Sequence, residues 1–299
     1  MFKPAKITLG PVLFNWQPEA WRDFYARIAD EAPVDQVYLG EVVCSKRMPF
    51  FDELIVDVIE RLERAGKSVV LSTLIMPTTS RERRLMRDLV SGFDQLIEVN
   101  DISTLSHLNG RPHVVGPFIN TYNESMLAYL ARRGASAVCL PPELPLASIR
   151  CIAAANPDVA IEVFAFGRSP LAISARCYHA RLHGLTKDGC QFVCGEDPDG
   201  LDVDTLDGQP FLTVNGVQTL SRTYTCLVGD IPQLMEAGVS AFRLSPHTCD
   251  MVAVSRLYHD AADGRSEPGA ALEQMRRLVP GAAFSNGFLH GVAGVELVS

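Results

Sequence analysis

The sequence has no apolar run near the roughly 18 residues that a membrane-crossing helix needs, and its start has neither an apolar h-region nor a small-residue cleavage site. A membrane span and a secretory leader are therefore not expected, and the chain reads as cytoplasmic. It is short of basic residues, with 27 Lys and Arg against 35 Asp and Glu, a formal charge of -8. An acidic surface repels phosphate backbones, so nucleic acid is a disfavoured partner. The strings G-x-S-x-G and H-E-x-x-H are missing, and so is any C-x2-C pair, which leaves the familiar hydrolase and zinc-knuckle signatures without support. No low-complexity segment occurs. With 47% hydrophobic and 21% charged residues among 299, disorder is excluded.

What the chain does have is eight cysteines. A disulfide-stapled secreted domain is usually short, and cytoplasmic thiols stay reduced. The cysteines are then buried small residues, metal ligands or reactive thiols.

Short β-rich runs alternate with amphipathic stretches along the chain. The strand candidates are Ile7–Val12, Gln36–Leu39, Val69–Met76, Leu96–Val99, His113–Gly116, Ala137–Leu140, Val159–Phe166 and Ala241–Leu244. Helical patterns fall at Pro18–Glu31, Phe51–Ala65, Ser80–Ser91, Asp101–Leu108, Asn123–Arg133, Leu146–Ala155, Ile231–Ala237 and Met251–Ala262, with an N-cap region at Ser80-Arg81-Glu82. Eight strands in this rhythm predict an α/β fold, a (β/α)8 TIM-like barrel forming one domain over 1–299, with a flat doubly wound sheet as the alternative. After the seventh strand the pattern breaks, from about 167 to 230. That stretch reads as an insertion with a cysteine cluster, an acidic segment (Gly195–Gly208) and a hairpin (Phe211–Val214 with Thr219–Leu227). A tail covers about 264–299.

Cys177-x12-Cys190-x3-Cys194 lies in that insertion. Three thiols within eighteen positions of an irregular segment are poorly explained by core packing. Sulfur-only coordination selects zinc or an iron–sulfur cluster, and a lone x3 spacing with distant partners is more like a cluster site. Of the other cysteines, Cys139 and Cys151 read as core, Cys226 ends a hairpin strand, and Cys249 follows the eighth strand. Cys44 leaves the C-terminal end of the second strand. It reaches the barrel mouth that the cysteine insertion also reaches, although alone it reads equally as a packed small residue.

The run Glu162-Val163-Phe164-Ala165-Phe166-Gly167, followed by Ser174-Ala175-Arg176-Cys177, resembles the signature of the collagenase-like, unknown-type peptidase family. Leu9–Leu13, Tyr38–Arg47, Val70–Leu74, Arg243–Pro246 and Asn286-Gly287 are similar, in matching order, to the family branch that serves oxygen-independent ubiquinone biosynthesis. The resemblance implies a [4Fe-4S] cluster on Cys44, Cys177, Cys190 and Cys194, and a heterodimer with a related UbiU-like protein. It further implies hydroxylation of a small-molecule quinone precursor with an organic hydroxyl donor such as prephenate. Pro170 stands where the wider signature has a cysteine, and Ala175 replaces its glycine, so Cys44 would restore a fourth thiolate. Peptidase activity is not expected. An RNA base hydroxylase of the same family and a non-catalytic zinc or iron–sulfur scaffold are the rival readings.

Other polar residues at strand ends are Glu41, Thr73, Glu98, Asn120 and Glu143, with Arg176 and Arg243 as cations for an anionic donor. None is assigned a catalytic role. His113, His179, His183, His247 and His290 read as surface or packed histidines. No run marks an apolar pocket for an isoprenoid tail, which places that pocket in the partner or at the shared interface.

Overall fold

The computed structural model describes residues 5–298. Its elements in order are β1 (Lys6–Leu9), α1 (Pro18–Glu31), β2 (Gln36–Leu39), α2 (Ile55–Arg64), β3 (Ser68–Ser72), α3 (Ser80–Gly92), β4 (Leu96–Val99), α4 (Leu105–Leu108), β5 (His113–Val115), α5 (Glu124–Arg132), β6 (Ala135–Leu140), α6 (Leu146–Ala155) and β7 (Ala160–Ile173). There follow α7 (Tyr178–Leu182), β8 (Leu201–Asp204), β9 (Pro210–Asn215), β10 (Gln218–Cys226), α8 (Ile231–Glu236), β11 (Ala241–Leu244), α9 (Met251–Ala262), α10 (Pro268–Leu278) and β12 (Phe284–Ser285). Strands β1 to β7 pair in parallel in sequence order, and β11 pairs with both β7 and β1. That double pairing closes an eight-stranded barrel and excludes the flat sheet. Among the described residues no helix is long and apolar enough to cross a membrane.

The helices pack because their apolar residues recur with helical period. In α1 the buried residues are Trp21, Tyr25, Ile28 and Ala29, an i, i+4, i+7, i+8 stripe against the barrel. The same geometry corrects the reading of Cys151. Ile149 and Ile152 form the buried face of α6, and Cys151, about 100° from Ile152, is exposed. The cap of α3 is also one residue earlier than expected: Thr79 accepts from the Glu82 N–H and Glu82 returns a bond to the Thr79 N–H, a reciprocal capping box.

Several boundaries move. β1 stops at Leu9, since Pro11 brings no N–H to continue a ladder, and β3 stops at Ser72. The turn Met48–Phe50, which holds Pro49, delays α2 to Ile55. β7 does not end at Phe166. At Gly167, φ +116°, where a Cβ would meet the Ser245 Cβ at 2.7 Å, the strand bends out of the barrel and continues to Ile173. Its outer half pairs antiparallel with β10, which carries β9 and then β8 as a meander. The acidic segment thus contributes a strand, and the tail contributes α10 and β12, which pairs with β10.

The barrel interior is a polar network. Arg243 spans it, donating to Glu98 and, at 2.5 Å, to Glu162, with all three side chains at most 3% exposed. Its guanidinium lies 3.8 Å from the centre of the Tyr38 ring, and the Tyr38 hydroxyl donates to Glu162 at 3.1 Å. Thr8 also donates to Glu162, and Ser72 to Glu98 at 2.6 Å. A buried carboxylate is tolerated only when paired and hydrogen-bonded, and both are.

Candidate metal centre

Cys44, Cys177, Cys190 and Cys194 line one small pocket at the C-terminal mouth of the barrel, together with Arg47 and Lys187. Each thiol is placed by its own local device. Gly40, which ends β2 at φ +125°, passes so close to the next strand that a Cβ would lie 2.7 Å from the Ser72 carbonyl. The chain then turns outward, and Glu41 Oε1 accepts from the N–H groups of Val43 (2.7 Å) and Cys44 (2.8 Å), fixing the Cys44 loop. Cys177 caps α7, its sulfur accepting from the Ala180 N–H at 3.4 Å. Between Cys190 and Cys194 two consecutive residues, Gln191 and Phe192, take left-handed backbone with φ of 49° and 56°. Non-glycine residues adopt that conformation at a cost of about 1–2 kcal/mol each, and such strain is kept where the surroundings demand it.

The two halves of the pocket are held together by side chains. Lys46 donates to the Lys187 and Asp188 carbonyls at 2.6 and 3.1 Å, and Phe50 packs edge-on against Phe192 with centroids 4.8 Å apart. Arg47 is only 1% exposed. It donates to the Leu13 carbonyl (2.9 Å), Asn215 Oδ1 (3.1 Å) and the Cys194 sulfur (3.3 Å), and stands 4.0 Å from Glu41. Its Nε is buried without a partner, which leaves one cationic donor unsatisfied beside the thiols. The loop beyond Cys194 is pinned as well: Trp16 donates to the Pro198 carbonyl at 2.7 Å, and Asp199 meets His247 Nδ1 at 3.1 Å and the Thr248 N–H at 3.0 Å. The Arg168 N–H donates to His247 Nε2, so Nδ1 carries the proton toward Asp199; burial lowers the pKa of this ring and keeps it neutral.

Burial pushes the Cys44 and Cys177 thiols up from their ordinary range. A metal centre would displace the protons of these thiols on binding. Burial likewise raises Glu41, against the lowering effect of Arg47. No three of the four sulfurs are mutually within 4.8 Å. Four thiolates on a tetrahedral zinc at about 2.3 Å stand within about 4 Å of each other. Among the described residues only His179, His183 and Asp197 place three ligating atoms mutually within 4.8 Å. A four-thiol set around a wider centre, walled by Val193, Val217 and Phe192 and faced by two cations, suits an anionic polynuclear cluster.

The remaining candidates scatter. Arg243 and Glu98 are consumed inside the barrel, and Thr73 holds Asn100 and the Glu98 carbonyl. Asn120, Glu143 and Arg176 are exposed. The cation beside the thiols is therefore Arg47, with Lys187, and neither Arg176 nor Arg243 serves. Cys139 is buried in the barrel, and Cys226 and Cys249 lie outside the thiol pocket. His113, His179 and His247 are packed, while His183 and His290 are exposed. A second cavity, of about 290 Å³, adjoins the same loop. It lies between α1, α2, α3 and the ends of β1 to β3, and its apolar lining comes from several separate runs of the chain.

The family model of peptidase family U32 matches residues 19–299. The chain belongs to that family. Among solved structures it is similar to N-acetylneuraminate lyase from Fusobacterium nucleatum, at 10% identity over 90% of this chain and 79% of that one, with a TM-score of 0.47. It is also similar to dihydropteroate synthase from Xanthomonas albilineans, at 16% identity over 93% of this chain and 95% of that one, with a TM-score of 0.42. Likenesses this distant say nothing about chemistry.

Proposed function

We propose that this U32 protein is the iron–sulfur subunit, of UbiV type, of an oxygen-independent hydroxylase of ubiquinone precursors, working with a UbiU-like partner chain. The observation that carries the reading is the convergence of Cys44 with the three insertion cysteines on one pocket. A [4Fe-4S] cluster held by these four thiolates would supply electron transfer or activation of an organic hydroxyl donor. The chain's own residues have definable tasks around it. Arg47 offsets the negative charge of the thiolates and ties the Cys44 loop to Cys194. Glu41 orients the Cys44 loop by two backbone bonds, and Phe192, Val193 and Val217 wall the thiol pocket with apolar surface. Lys187 lines the thiol pocket and gives it a positive edge that suits an anionic donor such as prephenate.

Among the described residues no thiol shares a hydrogen bond with a histidine. A host lacking the gene and grown without oxygen is expected to lose ubiquinone and accumulate an under-hydroxylated precursor, with tRNA and rRNA modification unchanged. Intact ubiquinone together with a missing modified base would replace this reading by the RNA hydroxylase one.

A further inference from the structure

The cavity beside the Cys44 loop is built for a ligand. Its walls are aromatic (Phe14, Trp21, Phe51 and Phe93) and aliphatic, with Met48 and Met86 among them, and among the described residues no lysine or arginine lines it. Leu85, Leu89 and Ile55 on the rim are only half-buried, so apolar surface opens to solvent there. Exposed Asp52 and Asp88 stand at the same rim, and Glu41 lies at the inner end. Arg47 stands 4.0 Å from Glu41 and Arg87 pairs with Asp88, but neither cation lines the cavity among the described residues, so its lining offers carboxylate and phosphate ligands no partner. Inside, Glu41 is the charged anchor among the described residues, with its side chain 5% exposed, while the Ser72 hydroxyl is spent on Glu98. Its Oε1 is taken by the Val43 and Cys44 N–H groups, and among the described residues no protein donor reaches Oε2. An acceptor left over in an apolar cavity calls for a ligand that brings a hydroxyl donor and is otherwise apolar.

We propose that this cavity binds a neutral prenylated phenol, with its ring between the aromatic walls, its hydroxyl donating to Glu41 Oε2 and its isoprenoid chain running out between α2 and α3. The assignment gives the quinone-precursor site of the preceding section to this chain, and it rests on that reading only for the ligand's biological identity. Because Glu41 also holds the Cys44 N–H, the phenol would sit one loop away from the thiol pocket. Aromatic walls favour a ring over a simple alcohol by offset or edge-on stacking, and the two methionines adapt to a flexible tail.

The test uses the full chain purified without oxygen and 2-geranylphenol as probe. Titration followed by tryptophan emission is expected to saturate, since Trp21, one of two tryptophans, lines the cavity. The methyl ether 2-geranylanisole, which lacks the donor, and the anion geranate are each expected to bind at least about tenfold more weakly. By calorimetry Leu89→Trp, which fills the rim, is expected to weaken 2-geranylphenol at least about tenfold; the ligand comparison stands even if that variant folds poorly. No saturable binding, equal binding of the ether, or tighter binding of geranate would overturn the proposal. The readout needs neither cluster nor turnover. Binding by a chain that proves to lack iron and sulfide sinks the functional reading alone, and a cluster-bearing chain that ignores the probe sinks the cavity assignment alone.

Discussion

Cys44→Ala protein purified without oxygen is expected to hold no more than about a tenth of the wild-type iron, as little as Cys177→Ala protein. The two residues are 133 positions apart in numbering, on loops leaving β2 and β7, yet they line the same pocket. Removing one thiolate from a four-thiolate set exposes a coordination position and leaves the buried guanidinium of Arg47 short of negative charge. Exposed Cys151, changed to Ala, is the control and should leave iron unchanged. Cys44→Ala protein with full iron would show that the fourth ligand lies elsewhere. The nearest rivals are poorly placed: burial pushes Cys226, beside Tyr258, up to about 11 and Cys249, beside Met251, up to about 12, and neither reaches the pocket.

The second large effect concerns the scaffold. Arg243→Met is expected to lower unfolding free energy by about 3–5 kcal/mol, read from a urea midpoint at unchanged slope. Methionine matches the stem in length and removes the charge, so Glu98 and Glu162 are left facing each other inside the barrel without their shared cation. Arg243→Lys should recover only part of the loss, because an ammonium lacks the planar fork that bonds both carboxylates at once. A loss below about 1 kcal/mol for Arg243→Met would mean that the interior is hydrated and the triad is not a structural strut. The strut matters for the site because β2, β4, β7 and β11, which Tyr38, Glu98, Glu162 and Arg243 lock together, include the strands that launch the Cys44 loop and the cysteine insertion.

The barrel was legible because its signals are local. Runs such as Gln36–Leu39 and Ala241–Leu244 are short, mostly apolar stretches bounded by turn residues, and α1 carries its first-turn proline and its stripe within fourteen residues. The grouping of Cys177, Cys190 and Cys194 was legible from their spacing, whereas Cys44 joined them through the family resemblance. Non-local features were hidden. Arg47 sits in a loop where an arginine ordinarily faces water, and its burial depends on Leu13, Asn215 and Cys194, residues scattered over most of the chain. The apolar cavity draws on α1, the 48–55 turn and α3, none of which carries an unusual run by itself. The continuation of β7 past Gly167 follows from its partner β10, fifty residues on, which no local period reports. In α10 the start Pro268-Gly269 reads as loop, although proline suits a first helical turn.

The central claim is that Cys44, Cys177, Cys190 and Cys194 hold a [4Fe-4S] cluster, and metal and acid-labile sulfide analysis of the anaerobically purified chain tests it most directly. The account predicts about four iron and four sulfide per chain, with a brown colour. A colourless protein with one zinc per chain and no sulfide would contradict it.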